Sequence, residues 1–252
     1  MNLEKMKEAW KKEENYSFKG WDFSHIENRM KEDKLPWDYR QIVKSYMEKE
    51  KVLLDMGTGG GEFLLSLNPT SGLTYATESY LPNIELSKKV LTPRGIEVRP
   101  VSDDNNLPFK DNYFDIVINR HESFSLSEIN RILKSGGVFI TQQVGGRNNK
   151  ELAKFLLGEY PNIIDSELNL KKALKEVKNT SFKVIKKDEC FPKTYFYDVG
   201  ALVYYAKIIE WEFPNFSVEK CFDKLVKLKR EMENKGYIET TEHRYLLVAI
   251  KK

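Results

Sequence analysis

Apolar and polar positions follow two different periods along this chain, and the places where the period changes lay out its elements. Short apolar runs fall at 52–55 (Val52-Leu53-Leu54, ending in Asp55), 73–77, 96–101 and 114–119. Each is bounded tightly enough to be a buried strand of a parallel sheet. Between the runs the spacing lengthens to that of a helix. Glu62-Phe63-Leu64-Leu65 follows the first, and Ile84, Leu86, Val90 and Leu91 follow the second. Pro82 sits in that second helix's first turn, where its missing N–H has no partner to lose, and Thr92-Pro93 stops it. Ser125-x-x-Glu128 reads as a capping box, with Ile129, Ile132 and Leu133 inward and Ser135-Gly136-Gly137 ending the helix ahead of a fifth strand.

Beyond residue 145 the pattern predicts helices around Leu152, Phe155 and Leu156 and over 168–177, then a sixth strand at 182–190 and a seventh at 243–250. The 191–242 stretch between those strands is longer than a hairpin needs. It holds an aromatic-rich helix over 197–211 and an amphipathic one from Ser217 to Gly236, with Phe222, Leu225, Val226 and Met232 inward. At the other end, Leu3, Met6 and Trp10 fall at helical spacing, as do Tyr39, Ile42, Val43, Tyr46 and Met47. The expected division is an N-terminal helical extension over 1–50 and a main domain over 51–252 that carries an insertion at 191–242.

The end of the first strand sets the chemistry. Asp55-Met56-Gly57-Thr58-Gly59-Gly60-Gly61 places glycines at alternating positions 57, 59 and 61 between a strand and a helix. Such a break brings bare backbone N–H groups and a helix N-terminus to the carboxyl edge of a sheet, where open α/β folds bind ligands. A dinucleotide fingerprint counted from Gly57 needs its third glycine where Glu62 stands, and no Gly-Lys-Ser/Thr of a phosphate loop follows. Asp55 would repel a pyrophosphate and suits a ligand carrying an ammonium or a sulfonium. Glu78, at the end of the second strand, has two oxygens that match the hydroxyls of a ribose, against the plainer reading of a solvated glutamate. Asp103 or its neighbour Asp104 can accept a hydrogen bond from adenine's exocyclic amine.

The run Asp55, Gly57, Gly59, Gly61 resembles motif I of the class I S-adenosylmethionine-dependent methyltransferases, D/E-x-G-x-G-x-G. Asp103, Leu107, Pro108, Phe109, Asp111, Phe114, Asp115 and Val117 resemble a run of the small-molecule methyltransferases akin to the ubiquinone and menaquinone biosynthesis enzymes. The string from Glu128 to Thr141 resembles the motif before strand five, with Ser135 where a proline is usual. The likeness covers residues 50–145. It implies a Rossmann-like, doubly wound, seven-stranded and mostly parallel α/β sheet, its last strand antiparallel beside the sixth, with a helical cap from the N-terminus and the late insertion. It implies S-adenosyl-L-methionine as cofactor, S-adenosyl-L-homocysteine as product and no metal. The cofactor contacts it implies are Asp55, Gly57, Thr58, Gly59, Gly61, Glu78, Ser79, Asp103, Asp104 and Asn119. His121 is the only histidine near that edge and the candidate catalytic base, should the acceptor be a hydroxyl or an acidic carbon. That His121 or Glu122 merely caps the following helix is the competing reading.

Composition narrows the partners. Forty-one basic against 38 acidic side chains give a net charge of +3 with no basic stripe, which disfavours nucleic acid. Enzymes that methylate adenine's amino group commonly carry N-P-P-Y after strand four, and this chain has Asn119-Arg120-His121-Glu122. Neither Cys190 nor Cys221 follows a proline, as a cytosine carbon-5 nucleophile would. The two cysteines fit a reducing cytosol. The charged N-terminus lacks a signal peptide's apolar core, and no apolar run approaches the ~18 residues of a membrane span. His25, His121 and His243 are too dispersed for zinc. The expectation is a cytoplasmic enzyme acting on a small molecule, with no membrane partner and its oligomeric state open; a non-catalytic cofactor-binding module is the alternative. Aromatic residues give the acceptor its expected class. Tyr16, Trp21 and Trp37 from the N-terminal segment, with Tyr204, Tyr205 and Trp211 from the insertion, either anchor those segments or form a two-part lid over a partly apolar or aromatic acceptor.

Overall fold

The computed structural model describes residues 2–18, 23–159, 161, 165 and 167–252. Its chain forms two compact units, one of Met1–Leu35, Gly145–Leu168 and Cys190–Arg244, the other of Pro36–Val144, Asn169–Glu189 and Tyr245–Lys252.

The second unit is built on seven strands. In chain order they are β1 Leu53–Met56, β2 Thr74–Glu78, β3 Ile96–Pro100, β4 Phe114–Arg120, β5 Leu133–Val144, β6 Phe182–Cys190 and β7 Arg244–Lys251. They lie side by side in the order β3-β2-β1-β4-β5-β7-β6. The sheet is mixed, with the last strand in sequence antiparallel and helices along it, the Rossmann-like arrangement expected. All four residues of β1 are buried, as a central parallel strand covered on both faces requires. Leu54, Met56, Phe114, Val117, Ile129, Phe139 and Leu247 share one apolar core.

The Leu107-Pro108-Phe109 text is a structural clamp. Leu107 and Phe109 are buried, and Phe109 packs edge-on against Phe114 at 4.8 Å. Arg131 donates to the carbonyls of Leu107 (2.9 Å) and Phe109 (2.7 Å) and to Asp111 Oδ1 (2.8 Å), while Glu128 accepts the Leu107 N–H at 2.9 Å. These bonds overturn the capping box. Ser125 makes no capping bond with its side chain, and Glu128 turns instead to Leu107 and Arg131, whose guanidinium donates to both carboxylate oxygens where an N-cap N–H could reach only one. The glycine pair is also displaced. The helix ends at Ile132, and Gly136 and Gly137 lie inside β5, where the pairing with β4 slips between Phe114 and Ile116.

The first unit encloses a separate core of Met6, Trp10, Ile26, Leu202, Tyr204, Phe213 and Leu225. Its helices include Leu3–Glu14, Lys150–Leu157, Val199–Ile208 and Val218–Lys235. It also holds a small antiparallel sheet of Met30–Glu32, Lys193–Phe196 and Ile238–Thr241, which the sequence pattern does not predict. The boundaries therefore differ from those drawn on the sequence. Residues 36–50 belong with the large sheet, and 145–168 join the insertion. Met6 and Trp10 of the N-terminal segment are core residues. Among the described residues no helix is long and apolar enough to cross a membrane.

Ser217 caps the 18-residue helix Val218–Lys235, its Oγ accepting the Lys220 N–H at 3.2 Å. Ser217→Ala leaves that N–H without its cap and should lower stability by about 1 kcal/mol. Urea unfolding followed by helical circular dichroism reads the loss; an unmoved midpoint would show that the cap contributes nothing.

Candidate functional site

The site is built on the carboxyl edge of β1, β2, β4 and β5, within the second unit. After Met56 the chain must turn sharply, and it does so through glycines in the left-handed region, Gly57 at φ +66° and Gly59 at φ +61°. L side chains rarely adopt that conformation. The two glycines differ in what lies around them. A Cβ on Gly57 would come within 2.5 Å of Glu122 Cγ, whereas a Cβ on Gly59 would meet no atom within 4 Å. Gly59 is thus an open stretch of bare backbone facing space that a ligand can fill.

Two acids organise this loop. Asp55 is 4% exposed, and its Oδ2 accepts the Thr58 hydroxyl at 2.8 Å. Burial pushes the Asp55 carboxyl up to about 7, against the Thr58 hydrogen bond and the charge of Arg120 and with a further push from Glu78. Glu78 is buried, and its carboxylate accepts three backbone N–H groups, Gly59 at 2.7 Å, Ser79 at 2.9 Å and Tyr80 at 3.0 Å. A carboxylate has about four lone-pair sites, so acceptor capacity remains for a ligand hydroxyl. Thr58 is itself tied to β2 through its N–H to Thr77 O at 3.0 Å.

The other expected contacts divide. Ser79 is exposed beside Glu78. Asp103 is exposed, and its Oδ1 closes a turn by accepting Asn105 N at 2.9 Å and Nδ2 at 3.0 Å. Asp104 is half-buried and accepts the Ser123 hydroxyl. Asn119 is fully buried, with Oδ1 accepting Thr141 Oγ1 and Gln143 Nε2 and with Nδ2 donating to Ser123 O at 3.4 Å. Its side chain is a strut for the loop after β4.

That loop brings in groups the motifs do not mark. His121 has φ +64°; its N–H donates to Gln142 O at 2.9 Å, and its Nε2 lies 3.0 Å from Gln142 Nε2. Gln142 Oε1 in turn accepts Trp37 Nε1–H at 2.8 Å. Glu122 lies across Gly57. Burial raises its carboxyl above the ordinary range, and the charges of Glu78 and Asp104 raise it further. Gln143 Nε2 holds the Glu122 carbonyl at 3.0 Å. Arg120 stacks over Phe63 at 4.4 Å, and Tyr39 packs on that ring at 5.4 Å while donating to Asn119 O (3.0 Å) and Ile140 O (3.2 Å). Only two traces of this arrangement stand in the sequence, an acid close behind a strand end and two glutamines at the end of β5.

The charge of Glu78 raises the pKa of both Asp55 and Glu122, Asp104 adds to the effect at Glu122, and Arg120 opposes it at Asp55. Such a site attracts cations and repels phosphates. Among the described residues no group of three or more His, Cys, Asp or Glu side chains is arranged to hold a metal ion.

The aromatic residues expected to form a lid fall in both units. Trp37 belongs to the second unit, buried against Gln142. Tyr16 and Tyr204 meet edge-on at 5.9 Å in the first unit, where Tyr204 and Tyr205 are core residues, 2% and 4% exposed. Tyr16 and Trp211 are exposed. Trp21 lies outside the described residues.

Comparison with known proteins agrees with this geometry. Residues 54–141 match the family described as a methyltransferase domain. An uncharacterized protein of Methanocaldococcus jannaschii is 30% identical over 168 residues, 63% of this chain and 61% of the relative, so the match spans less than two thirds of that protein. A Bacillus halodurans structure solved as a candidate methyltransferase superposes with a TM-score of 0.60 at 16% identity, covering 85% of this chain and 98% of its own. The geranyl diphosphate C-methyltransferase of Streptomyces coelicolor, solved with Mg2+, geranyl diphosphate and S-adenosyl-L-homocysteine, gives 0.51 at 12% identity over 84% and 78%. At these identities the structures speak for the fold alone. Residues 54–141 thus match a methyltransferase domain on a sheet with the Rossmann-like methyltransferase arrangement, and the acid-lined glycine loop lies within that match.

Proposed function

We propose that the protein transfers a methyl group from S-adenosyl-L-methionine to a small, partly apolar or aromatic acceptor. The observation that carries this reading is the loop at 57–61, with backbone open at Gly59 and carboxylates around it. The fit is chemical. The cofactor bears an ammonium and a sulfonium, and the loop bears Asp55, Glu78, Asp104 and Glu122. Asp55 and the loop backbone would hold the methionine end, Glu78 the ribose through its remaining acceptor capacity, and Asp103 or Asp104 the adenine amine. The bound cofactor supplies an electrophilic methyl group on its sulfonium.

The protein's part is then to orient and to exclude water. Asn119, Thr141 and Gln143 fix the loop 120–123 behind the cofactor edge. Four neighbouring carboxylates favour a neutral or cationic acceptor over a phosphorylated one. Isothermal titration with S-adenosyl-L-methionine, then a coupled assay for S-adenosyl-L-homocysteine over pools of small molecules, tests the reading. Absence of cofactor binding would overturn it, and binding without turnover on any small-molecule pool would favour a binding module.

Gly59→Ala places a methyl group where the ligand approaches. Gly72, at φ +76° with equally open surroundings, lies before β2 at the opposite edge and serves as a control for backbone strain alone. Both variants should lose about 1–2 kcal/mol of stability. Only Gly59→Ala should lose cofactor affinity, by at least about tenfold, or ~1.4 kcal/mol. Equal affinities would remove Gly59 from the site.

Asp55 gives the site a pH dependence with a definite sign. Its pKa is raised in the free fold, so the fold is penalised progressively as pH climbs from the ordinary carboxylate range to about 7. A cationic ligand favours the ionised form, and binding therefore releases a proton. Affinity should strengthen between about pH 6 and about 7.5. Asp55→Asn should flatten that slope, weaken binding at the upper end and raise the free protein's melting temperature there. A slope preserved in Asp55→Asn would assign the proton elsewhere.

A further inference from the structure

Trp37, Gln142 and His121 form a chain of hydrogen bonds whose polarity has only one solution. An indole Nε1–H donates and cannot accept. The Gln142 atom 2.8 Å from it must therefore be the carbonyl oxygen, which turns the amide NH2 toward His121. Reversing the amide would set two donors against each other at the indole. Trp37 and Gln142 are both buried, 7% and 6% exposed, so no bulk water relieves such a clash. With the NH2 facing His121 Nε2 at 3.0 Å, that nitrogen has to offer its lone pair. The neutral ring then carries its proton on Nδ1. The backbone holds the ring to this arrangement, because the His121 N–H is bonded to Gln142 O at 2.9 Å and the residue sits at φ +64°.

We propose that Trp37 and Gln142 are positioning residues that lock His121 as the neutral imidazole with its proton on Nδ1. Free neutral histidine favours the other tautomer, so the relay works against an intrinsic preference. The consequence for catalysis rests on the methyl-transfer reading: Nε2 is engaged by Gln142 and does not take a proton from the acceptor. His121 enters the reaction as a hydrogen-bonding group of fixed polarity and not as a base at Nε2. If the acceptor has a proton to lose, it goes to another group. The expected role of His121 as base is thereby replaced by one that helps decide which acceptor fits.

Histidine-selective long-range 1H–15N correlation on the full-length labelled protein reads the tautomer directly, at about pH 8, where an ordinary histidine is neutral. His121→Asn identifies the signal among the three histidines. Wild type should show a protonated Nδ1 and a lone-pair Nε2. Trp37→Phe keeps an aromatic ring and removes the N–H, freeing the amide to turn; its His121 pattern should shift toward the Nε2–H form. Gln142→Met, which retains length but cannot donate, should do the same and decides the matter if Trp37→Phe fails to fold. A wild-type Nε2–H pattern overturns the proposal, as does a wild-type pattern retained in the folded variants. Titration of the same samples with S-adenosyl-L-methionine keeps the two readings apart. Wild type that fails to bind defeats methyl transfer and leaves the relay to be judged on its spectrum.

Discussion

The carboxylate of Glu78 is the constraint on which the cofactor edge depends. Three left-handed glycines within five residues leave backbone N–H groups with no strand or helix to receive them, and buried donors must be paired. Glu78 pairs Gly59 from the loop with Ser79 and Tyr80 from its own turn, locking the end of β1 to the end of β2. The anchor that shapes the loop is also a charge placed beside Asp55 and Glu122, and it raises the pKa of both. Architecture and electrostatics are therefore one feature here. Burial together with the charge of Glu78 holds the Asp55 and Glu122 carboxyls above their ordinary range, a perturbation that clusters at functional sites.

A second set of bonds does for β4 and β5 what Glu78 does for β1 and β2. Asn119 and Thr141 are fully buried, and Gln143 joins them while holding the carbonyl of Glu122. Tyr39 adds its hydroxyl to the carbonyls of Asn119 and Ile140. Burying this many polar groups is tolerable only because each is paired, and a fully paired network is rigid. The loop carrying His121 and Glu122 is consequently set by the sheet beneath it.

Much of the fold was legible because its signals are local. The strands β1 to β4 announce themselves by bounded apolar runs, and the glycines after β1, Pro82 and Ser217 mark ends that depend on nearby residues. The missed elements depend on distant ones. Met30–Glu32, Lys193–Phe196 and Ile238–Thr241 are three or four residues long and find partners far along the chain, so no periodicity has room to show. Glu128 looked like half of a capping box because sequence spacing cannot reveal Arg131 and Leu107 competing for it. In the site, Asp55 and Glu78 were readable from their place at strand ends, whereas Asn119 occupies such a place and turns its side chain inward. Trp37 stands beside the N-terminal aromatics in sequence, yet its partner Gln142 lies in β5.

The run from Leu107 to Asp111 and several of the residues that shape the loop after β4 are different sets. Leu107, Phe109 and Asp111 belong to the most recognisable run in the chain, and all three serve the Arg131 clamp that holds a loop against the core. Trp37, Glu122, Gln142 and Gln143 belong to no motif, yet they fix the polarity of His121 and cover Gly57. This separation has a physical basis. A donor common to a whole family demands one constant cradle, and constant cradles leave recurring text. An acceptor particular to one protein is met by hydrogen-bond polarity and shape, which a few glutamines and aromatics can supply from any strand end that faces the site. A pairing such as that of Trp37 with Gln142 leaves no local text, because only the folded chain brings the two together.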